Sequence, residues 1–303
     1  MARYNRGLLI YNGNAGQKDI EKSLGECIPV LSREINELIL LKTSEPGHAE
    51  RFCMEYGETA EIVIVLGGDG TVHDSINGLA RLEKRPILAI LPGGTCNDFS
   101  RTLNMPQTIR QAAEMIITGI EVPIDVMEIN GHFALNFWGT GLVTEASNNI
   151  KESEKQWFGK VSYYLSALRT MRQMETFSYQ IDCEGEIMEG EAVMILVANG
   201  RFIGTNQLPF SNIHANDGQA NVFIIKNTNL GLIKEILTSD VTAGDDDASG
   251  EVIHCMGSEL KISTDQVMEA DTDGEVYLKT PAMVRVLKHH ILALIPKDDS
   301  VMY

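Results

Sequence analysis

Basic residues are scarce in this chain: 25 Lys and Arg stand against 42 Asp and Glu, a formal charge of −17 at pH 7. Phosphate backbones reward clustered Lys and Arg, so this balance argues against a nucleic-acid partner. It argues equally against adsorption to anionic lipid by overall charge, so work on a membrane substrate would need a local docking patch. Cysteine is sparse as well. Cys27, Cys53, Cys96, Cys183 and Cys255 are scattered without CxxC spacing, which points away from a disulfide framework and from a zinc knuckle. No stretch approaches the roughly 20 apolar residues of a membrane span. The apolar run within MARYNRGLLIYNG is too short for a signal peptide. No GxxxxGK[ST] pattern occurs, so the chain is not a P-loop enzyme. Tandem repeats and low-complexity segments are missing too. The expectation is a soluble chain in a reducing cytoplasm.

What is present is a globular composition, 44% hydrophobic and 22% charged, over 303 residues, enough for two ordinary domains. The first third alternates strand-like and helix-like segments. Residues 7–11 (GLLIY) are a short apolar run ended by the turn signal Asn12-Gly13. Within 17–36, Ile20, Leu24, Ile28, Leu31 and Ile35 recur at spacings of three or four, which predicts a helix. There follow a strand over 38–41, a helix opened by Pro46-Gly47, a buried strand over 62–66 (IVIVL), a helix over 72–81 and a strand over 86–91 (PILAIL). Near-continuous apolar strands alternating with helices predict an α/β domain with a parallel sheet covered on both faces. After Asp125 the segments become shorter and antiparallel in character, separated by turns such as Asn216-Asp217-Gly218, which predicts a second, mostly β domain. A helix is expected over 155–174. The expected domains are residues 1–127 with a returning C-terminal segment 289–303, and residues 128–288.

Three of the strand ends carry glycine turns, and ligands of parallel sheets bind outside the carboxyl ends of the strands. Asn12-Gly13-Asn14-Ala15-Gly16 is the first and Gly67-Gly68-Asp69-Gly70-Thr71 the second. The third is Pro92-Gly93-Gly94-Thr95, with Cys96-Asn97-Asp98 just beyond. Glycines let backbone N–H groups approach an oxyanion, and a helix amino end behind the second turn favours phosphate. A carboxylate beside polyphosphate is repelled unless a metal lies between, so Asp69 points to Mg²⁺ held partly through water. Together the turns point to a nucleotide.

The second turn, with Pro92-Gly93-Gly94-Thr95-Cys96-Asn97-Asp98-Phe99 downstream, resembles the diacylglycerol kinase catalytic-domain family, which bacterial soluble diacylglycerol kinases share with sphingosine kinases. Asn136-Phe137-Trp138-Gly139-Thr140-Gly141, Asn199-Gly200, Asn216-Asp217-Gly218 and Asp273-Gly274-Glu275 resemble its later motifs in the same order. The resemblance implies an α/β three-layer nucleotide domain like that of NAD kinases and phosphofructokinases, a β-sandwich domain, and a site in the cleft between them. It implies transfer of phosphate from ATP, with Mg²⁺, to a lipid hydroxyl, diacylglycerol foremost. Glu275 stands where the family's general base stands, and Asp69 belongs to the catalytic set. The nucleotide set it implies is Asn12, Gly13, Asn14, Ala15, Gly16, Thr43, Gly67, Gly68, Asp69, Gly70, Thr71, Val72, His73, Asp74, Gly94 and Thr95. A structural Mg²⁺ is implied at Asp217 with the carbonyls of His214 and Gln219; an Asx turn there is the alternative, since Asn216 replaces an Asp. His73-Asp74 replaces the family's usual small polar residue and Glu. The acidic run 244–250 (GDDDASG) is either a solvated loop or a feature of the lipid approach. The helix at 155–174 reads either as a core helix or as a docking helix for the bilayer. The expected setting is the cytoplasm, peripheral to the inner membrane surface during turnover; a homodimer is left open. The rival readings are an NAD kinase-like phosphotransferase and a nucleotide-binding regulator without turnover.

Overall fold

The structure is a computed structural model that describes residues 2–13, 17–141, 176–208, 213–226 and 252–297. The helix expected at 155–174 and the acidic run 244–250 lie outside the described residues. The chain divides into two compact units, Met1–Val126 with His289–Tyr303, and Met127–Lys288.

The first unit runs β1 (Tyr4–Asn12), α1 (Gln17–Leu31), β2 (Ile35–Thr43), α2 (His48–Tyr56), a 3-10 turn at Gly57–Thr59, β3 (Ile62–Gly67), α3 (Asp69–Leu79), β4 (Ile87–Pro92), α4 (Asp98–Thr102), α5 (Ile109–Thr118) and the start of β5 (Ile120–Ile129), whose last three residues belong to the second unit. The strands form a parallel sheet in the order β2-β1-β3-β4. α1 packs with α5, and α2 with α3. Every residue of β3 is buried, which is why it reads as a continuous apolar run. Each such Ile, Val or Leu contributes about 1.5–3 kcal/mol over an exposed position. The helix spacing extended to Ile35, but α1 ends at Leu31 and Ile35 opens β2, where it is 3% exposed. A buried strand start and the next turn of an apolar helix face look alike in sequence. α3 begins at Asp69, inside the glycine turn, rather than at Val72. α5 and β5 have no counterpart among the sequence expectations. α5 buries only Ala112, Ala113 and Ile116, a weak stripe, and β5 contains Pro123. Where α2 meets α3, a Cβ on Gly78 would lie 2.5 Å from the Glu50 carbonyl oxygen and 2.7 Å from Cys53 Cβ, so the helices touch with no room for a side chain at Gly78.

The second unit contains β6 (His132–Ala134), β7 (Phe137–Gly141), β8 (Phe177–Cys183), β9 (Glu186–Ala192), β10 (Met194–Ala198), a short ribbon of β11 (Phe202–Ile203) and β12 (Asn206–Gln207), β13 (Ala220–Ile225), β14 (Val252–Gly257), β15 (Glu259–Thr264), β16 (Glu269–Thr272) and β17 (Glu275–Lys279). The 14-residue β18 (Ala282–Ile295) starts here, pairing with β15, and ends in the first unit, where Ala293 sits opposite Leu88 of β4. One antiparallel sheet has the order β14-β13-β10-β7-β16-β17; the other places β18 beside β15, β8 and β9. Trp138, Ile195, Val222 and Ala270 from the first meet Ile181, Leu260, Ile262 and Val284 from the second in one core, which makes the unit a sandwich. The outer face of β10 and β13 is also covered, by Ile203, Leu208 and Ile213. Those two strands are therefore apolar throughout, whereas β8 (FSYQIDC) alternates buried and exposed.

Within β18, His289 has a left-handed φ of 53°. The His289 N–H donates to Asp125 Oδ1 at 2.7 Å, and Asp125 is fully buried.

Candidate functional site

In the first unit the parallel register places the glycine turns side by side. Tyr11 pairs with Leu66, and Gly67 with Pro92, so the carboxyl ends of β1, β3 and β4 share one edge. Asn12 sits opposite Thr43 at the end of β2. The Gly13 N–H donates to the Thr43 carbonyl oxygen at 3.0 Å, and the Thr43 hydroxyl donates to the Tyr11 carbonyl at 3.3 Å. Asn14, Ala15 and Gly16 lie outside the described residues.

The second and third turns touch through their backbones. A Cβ on Gly94 would lie 2.4 Å from Gly68 Cα, and one on Gly68 would lie 3.1 Å from Gly94 Cα. None of Gly67, Gly68, Gly93 and Gly94 has a positive φ, so glycine is needed here for close approach and not for backbone freedom. Gly93, Gly94 and Thr95 are exposed, leaving the rim of the turn open to a ligand.

Asp69 locks this arrangement. Its Oδ2 accepts the Asn97 N–H at 2.9 Å and its Oδ1 the Asp98 N–H at 2.7 Å, which caps the start of α4. Asn97 in turn closes the third turn on itself: its Oδ1 accepts the Gly94 N–H at 2.8 Å and its Nδ2 donates to the Gly94 carbonyl at 2.9 Å. Asn97 adopts a left-handed conformation, φ 54° and ψ 43°, to do so. From sequence it is only an amide beyond a glycine turn. Its contacts with Asp69 span 28 residues and leave no local signal.

The remaining members of the expected nucleotide set support the loop. Val72 and His73 are buried, and the His73 ring and carbonyl meet the Asn77 amide at 3.1 and 3.0 Å. Asp74 Oδ2 accepts the Gly47 N–H at 2.7 Å, anchoring the start of α2 to α3. Thr71 accepts the Ser75 hydroxyl at its carbonyl, 2.7 Å away. At the helix start, the N–H groups of Thr71 and Val72 both turn back to the Gly68 carbonyl.

In the second unit three of the sequence motifs meet. Asp273 Oδ1 accepts the N–H groups of Asn136 and Phe137, both at 2.9 Å, and its Oδ2 accepts that of Leu135 at 3.0 Å. The Asn199 amide donates to the Leu135 carbonyl at 2.7 Å, and the N–H groups of Asn199 and Gly200 donate to the Asn136 carbonyl. Gly200 is obligatory, since a Cβ there would collide with the Asn136 side chain. Asp273 and Gly274, with φ of 55° and 95°, form the two-residue turn between β16 and β17. Asp271, fully buried, accepts the Gly274 N–H at 2.8 Å. Glu275 is thereby the first residue of β17, opposite Thr272.

The structural-metal expectation meets a different arrangement. Asp217 Oδ1 accepts the Gln219 N–H at 2.8 Å, which is an Asx turn, the alternative weighed from sequence. The Lys288 ammonium donates to the Asp217 carbonyl at 3.0 Å, and its stem lies across Gly218, whose added Cβ would come 2.7 Å from Lys288 Cδ. An ammonium beside the donor set, with a single carboxylate, does not fit a divalent ion. Among the described residues no group of three or more His, Cys, Asp or Glu side chains is placed to hold a metal. Chelation of the ligand-free protein with EDTA is therefore expected to leave the thermal unfolding midpoint unchanged within about 1 °C, because an ion bound at the turn would add stability by mass action. A clear drop, restored by Mg²⁺, would reinstate the metal there.

All five cysteines are free. Burial pushes the Cys27 thiol up to about 11 and those of Cys53 and Cys255 up to about 12, so these three are held as thiols and not as nucleophiles.

Comparison with known proteins agrees with both units. Residues 6–129 match the model of the diacylglycerol kinase catalytic domain, and residues 139–295 that of the YegS C-terminal NAD kinase beta sandwich-like domain. A "Putative lipid kinase" of Staphylococcus aureus (strain JH9) is 33% identical over 301 residues, covering 98% of this chain and 99% of its own. Among solved structures, a "putative diacylglycerol kinase" from Bacillus anthracis str. Sterne is 40% identical with a TM-score of 0.90, both chains being covered completely. A second crystal structure, of a diacylglycerol kinase from the same organism, is 40% identical with a TM-score of 0.87, covering 98% of this chain and 99% of that one. The chain belongs to the diacylglycerol kinase catalytic-domain family. Its fold is that family's pair, an α/β domain followed by a β sandwich.

Proposed function

We propose that this chain is an ATP-dependent lipid kinase that phosphorylates the free hydroxyl of diacylglycerol or a related lipid alcohol. The observation that carries the donor side is the Asp69 carboxylate joining two glycine turns at the carboxyl edge of a parallel sheet, which leaves exposed backbone and a helix start for phosphate. The first unit is the ATP domain and the second the lipid domain. The main chain of Gly67, Gly68, Gly70 and Thr95 cradles the phosphates, joined by Asn12, Asn14, Ala15 and Gly16; Gly13, Thr71 and Gly94, whose N–H groups close the turns internally, hold the shape of the cradle. Thr43 shapes the floor, and Val72, His73 and Asp74 stiffen the loop.

Glu275 is the general base. The lipid hydroxyl oxygen bonds to the γ-phosphorus, the bond from that phosphorus to the ADP oxygen breaks, and the hydroxyl proton passes to the Glu275 carboxylate. The carboxylates of Asp69 and Asp98 near the turns suit a hard cation that keeps its waters; Mg²⁺ bound with the nucleotide would neutralise phosphate charge there. The Asp217 turn has no part in the reaction. Among the described residues no helix is long and apolar enough to cross a membrane. In this reading the enzyme meets its lipid as a peripheral protein at the inner membrane surface.

The test is transfer of label from [γ-³²P]ATP to a panel of lipids in mixed micelles, with NAD as a further acceptor. Label in phosphatidic acid is the expected result. Label on NAD and on no lipid would overturn the reading in favour of an NAD kinase-like activity, and binding of ATP with no transfer to any acceptor would leave a nucleotide-binding regulator.

A further inference from the structure

A polyphosphate brings several negative charges to turns that already hold Asp69 and Asp98, in a chain with a formal charge of −17. Like charges at such distances repel strongly unless cations stand nearby. Much of the basic complement of the first unit is engaged elsewhere. Arg3 pairs with Glu121, Arg6 with Glu37, Arg51 with Glu45, Arg81 with Glu50 and Arg110 with Glu114. Arg33, Lys84 and Arg85 lie in the loops entering β2 and β4, at the amino edge of the sheet and away from the turns.

Two basic side chains lie against the turns themselves. A Cβ on Gly13 would come 2.2 Å from Lys42 Cε and 2.9 Å from Lys42 Cγ. The Lys42 stem therefore crosses the Gly13 α-carbon and carries its ammonium, one bond further on, to the first turn. At the third turn, Arg101 Nε donates to the Cys96 carbonyl at 2.8 Å. That single bond fixes the plane of the guanidinium and leaves the donors of both terminal nitrogens for another acceptor, in the fork geometry that suits phosphate. Neither residue has a carboxylate partner among the described ion pairs.

We propose that Lys42 and Arg101 are the cationic arms of the donor site, one at the first glycine turn and one at the third, binding the charged oxygens of a nucleoside triphosphate. This rests on the reading of the turns as the ATP site and adds what neutralises the phosphates there. The glycine turns supply a close-fitting main-chain surface; the two arms supply charge, so affinity climbs with the number of phosphates.

The experiment measures dissociation constants of ATP, ADP, AMP and adenosine by calorimetric titration for wild type, Lys42→Met, Arg101→Gln and Arg101→Lys. Methionine keeps the stem over Gly13 and removes the charge. Removing one charged hydrogen-bonding partner is expected to weaken ATP roughly tenfold to 100-fold. The loss should shrink through ADP and AMP and vanish for adenosine, and Arg101→Lys should recover part of it. A wild type that binds no ATP would sink the reading of the turns as the donor site. If wild type binds and both charge-removing variants keep its ATP affinity, the cationic arms are wrong while the site stands. Equal loss of ATP and adenosine would also overturn the proposal, since it marks a collapsed turn. Lys42 is an exposed residue, so Lys42→Met decides the matter if Arg101→Gln fails to fold.

Discussion

Replacing Glu275 by Gln is expected to abolish phosphoryl transfer while ATP binding persists. A positioned general base accounts for roughly 10²- to 10⁴-fold of rate, and glutamine keeps the shape of the side chain without its ability to take the hydroxyl proton. The position of Glu275 is set by its backbone. It follows a two-residue turn whose φ angles, 55° at Asp273 and 95° at Gly274, suit the tight hairpin between β16 and β17. Asp271 holds the turn from one side through the Gly274 N–H. Exchanging Glu275 itself touches none of those bonds, so the fold should survive the substitution. Steady-state kinetics should show kcat falling by that factor with KM for ATP little changed, and calorimetric titration should return a wild-type ATP dissociation constant. A variant with more than about a tenth of wild-type turnover, below the least effect of a general base, would remove Glu275 from the role. A variant that has lost ATP affinity as well would point to a structural residue.

Much of the arrangement of the glycine turns was legible because buried parallel strands write themselves as continuous apolar runs. The runs ending at Tyr11, Leu66 and Leu91 announced β1, β3 and β4, and the glycines after them announced the turns. What joins the turns was not legible. The bonds from Asp69 to the main chain of Asn97 and Asp98 link residues 28 and 29 apart, and no periodicity encodes a carboxylate that caps another segment's helix. Read alone, Asp69 pointed to a metal; in the fold its two oxygens first hold the third turn in place. The glycine argument also changed its physical basis. From sequence the glycines were room for backbone N–H groups to approach an oxyanion, whereas Gly68 and Gly94 are required because each occupies the space where the other's Cβ would stand. In the second unit the motifs around Asn136, Asn199 and Asp273 were visible as separate strings, and only folding shows that they meet on the main chain of residues 135–137, with Asp273 accepting its N–H groups and Asn199 bonding its carbonyls. Ile35 misled for a simple reason: a buried residue four positions after Leu31 satisfies a helix stripe and a strand start equally well. The weak stripe of α5 and the proline in β5 hid both elements for the opposite reason, too little pattern.

Asp273 should be the most sensitive single position for stability in the second unit. Its carboxylate accepts three main-chain N–H groups, from Leu135, Asn136 and Phe137, in a place where it is only 9% exposed. Asp273→Ala leaves all three donors buried without an acceptor. Stranding a buried donor costs about 1–3 kcal/mol, and neighbouring losses are not additive, so a total of about 3–6 kcal/mol is expected. For a unit of this size that lowers the unfolding midpoint by about 6 °C or more, read by differential scanning calorimetry. Asp273→Asn should fall between the two. Its carbonyl oxygen can serve the Asn136 and Phe137 donors that share Oδ1, but its NH₂ then faces the Leu135 N–H, donor against donor. The same turn sets where β17 begins, so Asp273→Asn should lose transfer along with stability, while the first unit keeps its ATP affinity. That pattern separates it from Glu275→Gln, which should lose transfer alone. An Asp273→Ala protein that melts within about 2 °C of wild type, less than the loss of a single buried hydrogen bond would give, would show that this carboxylate does not hold the motifs together.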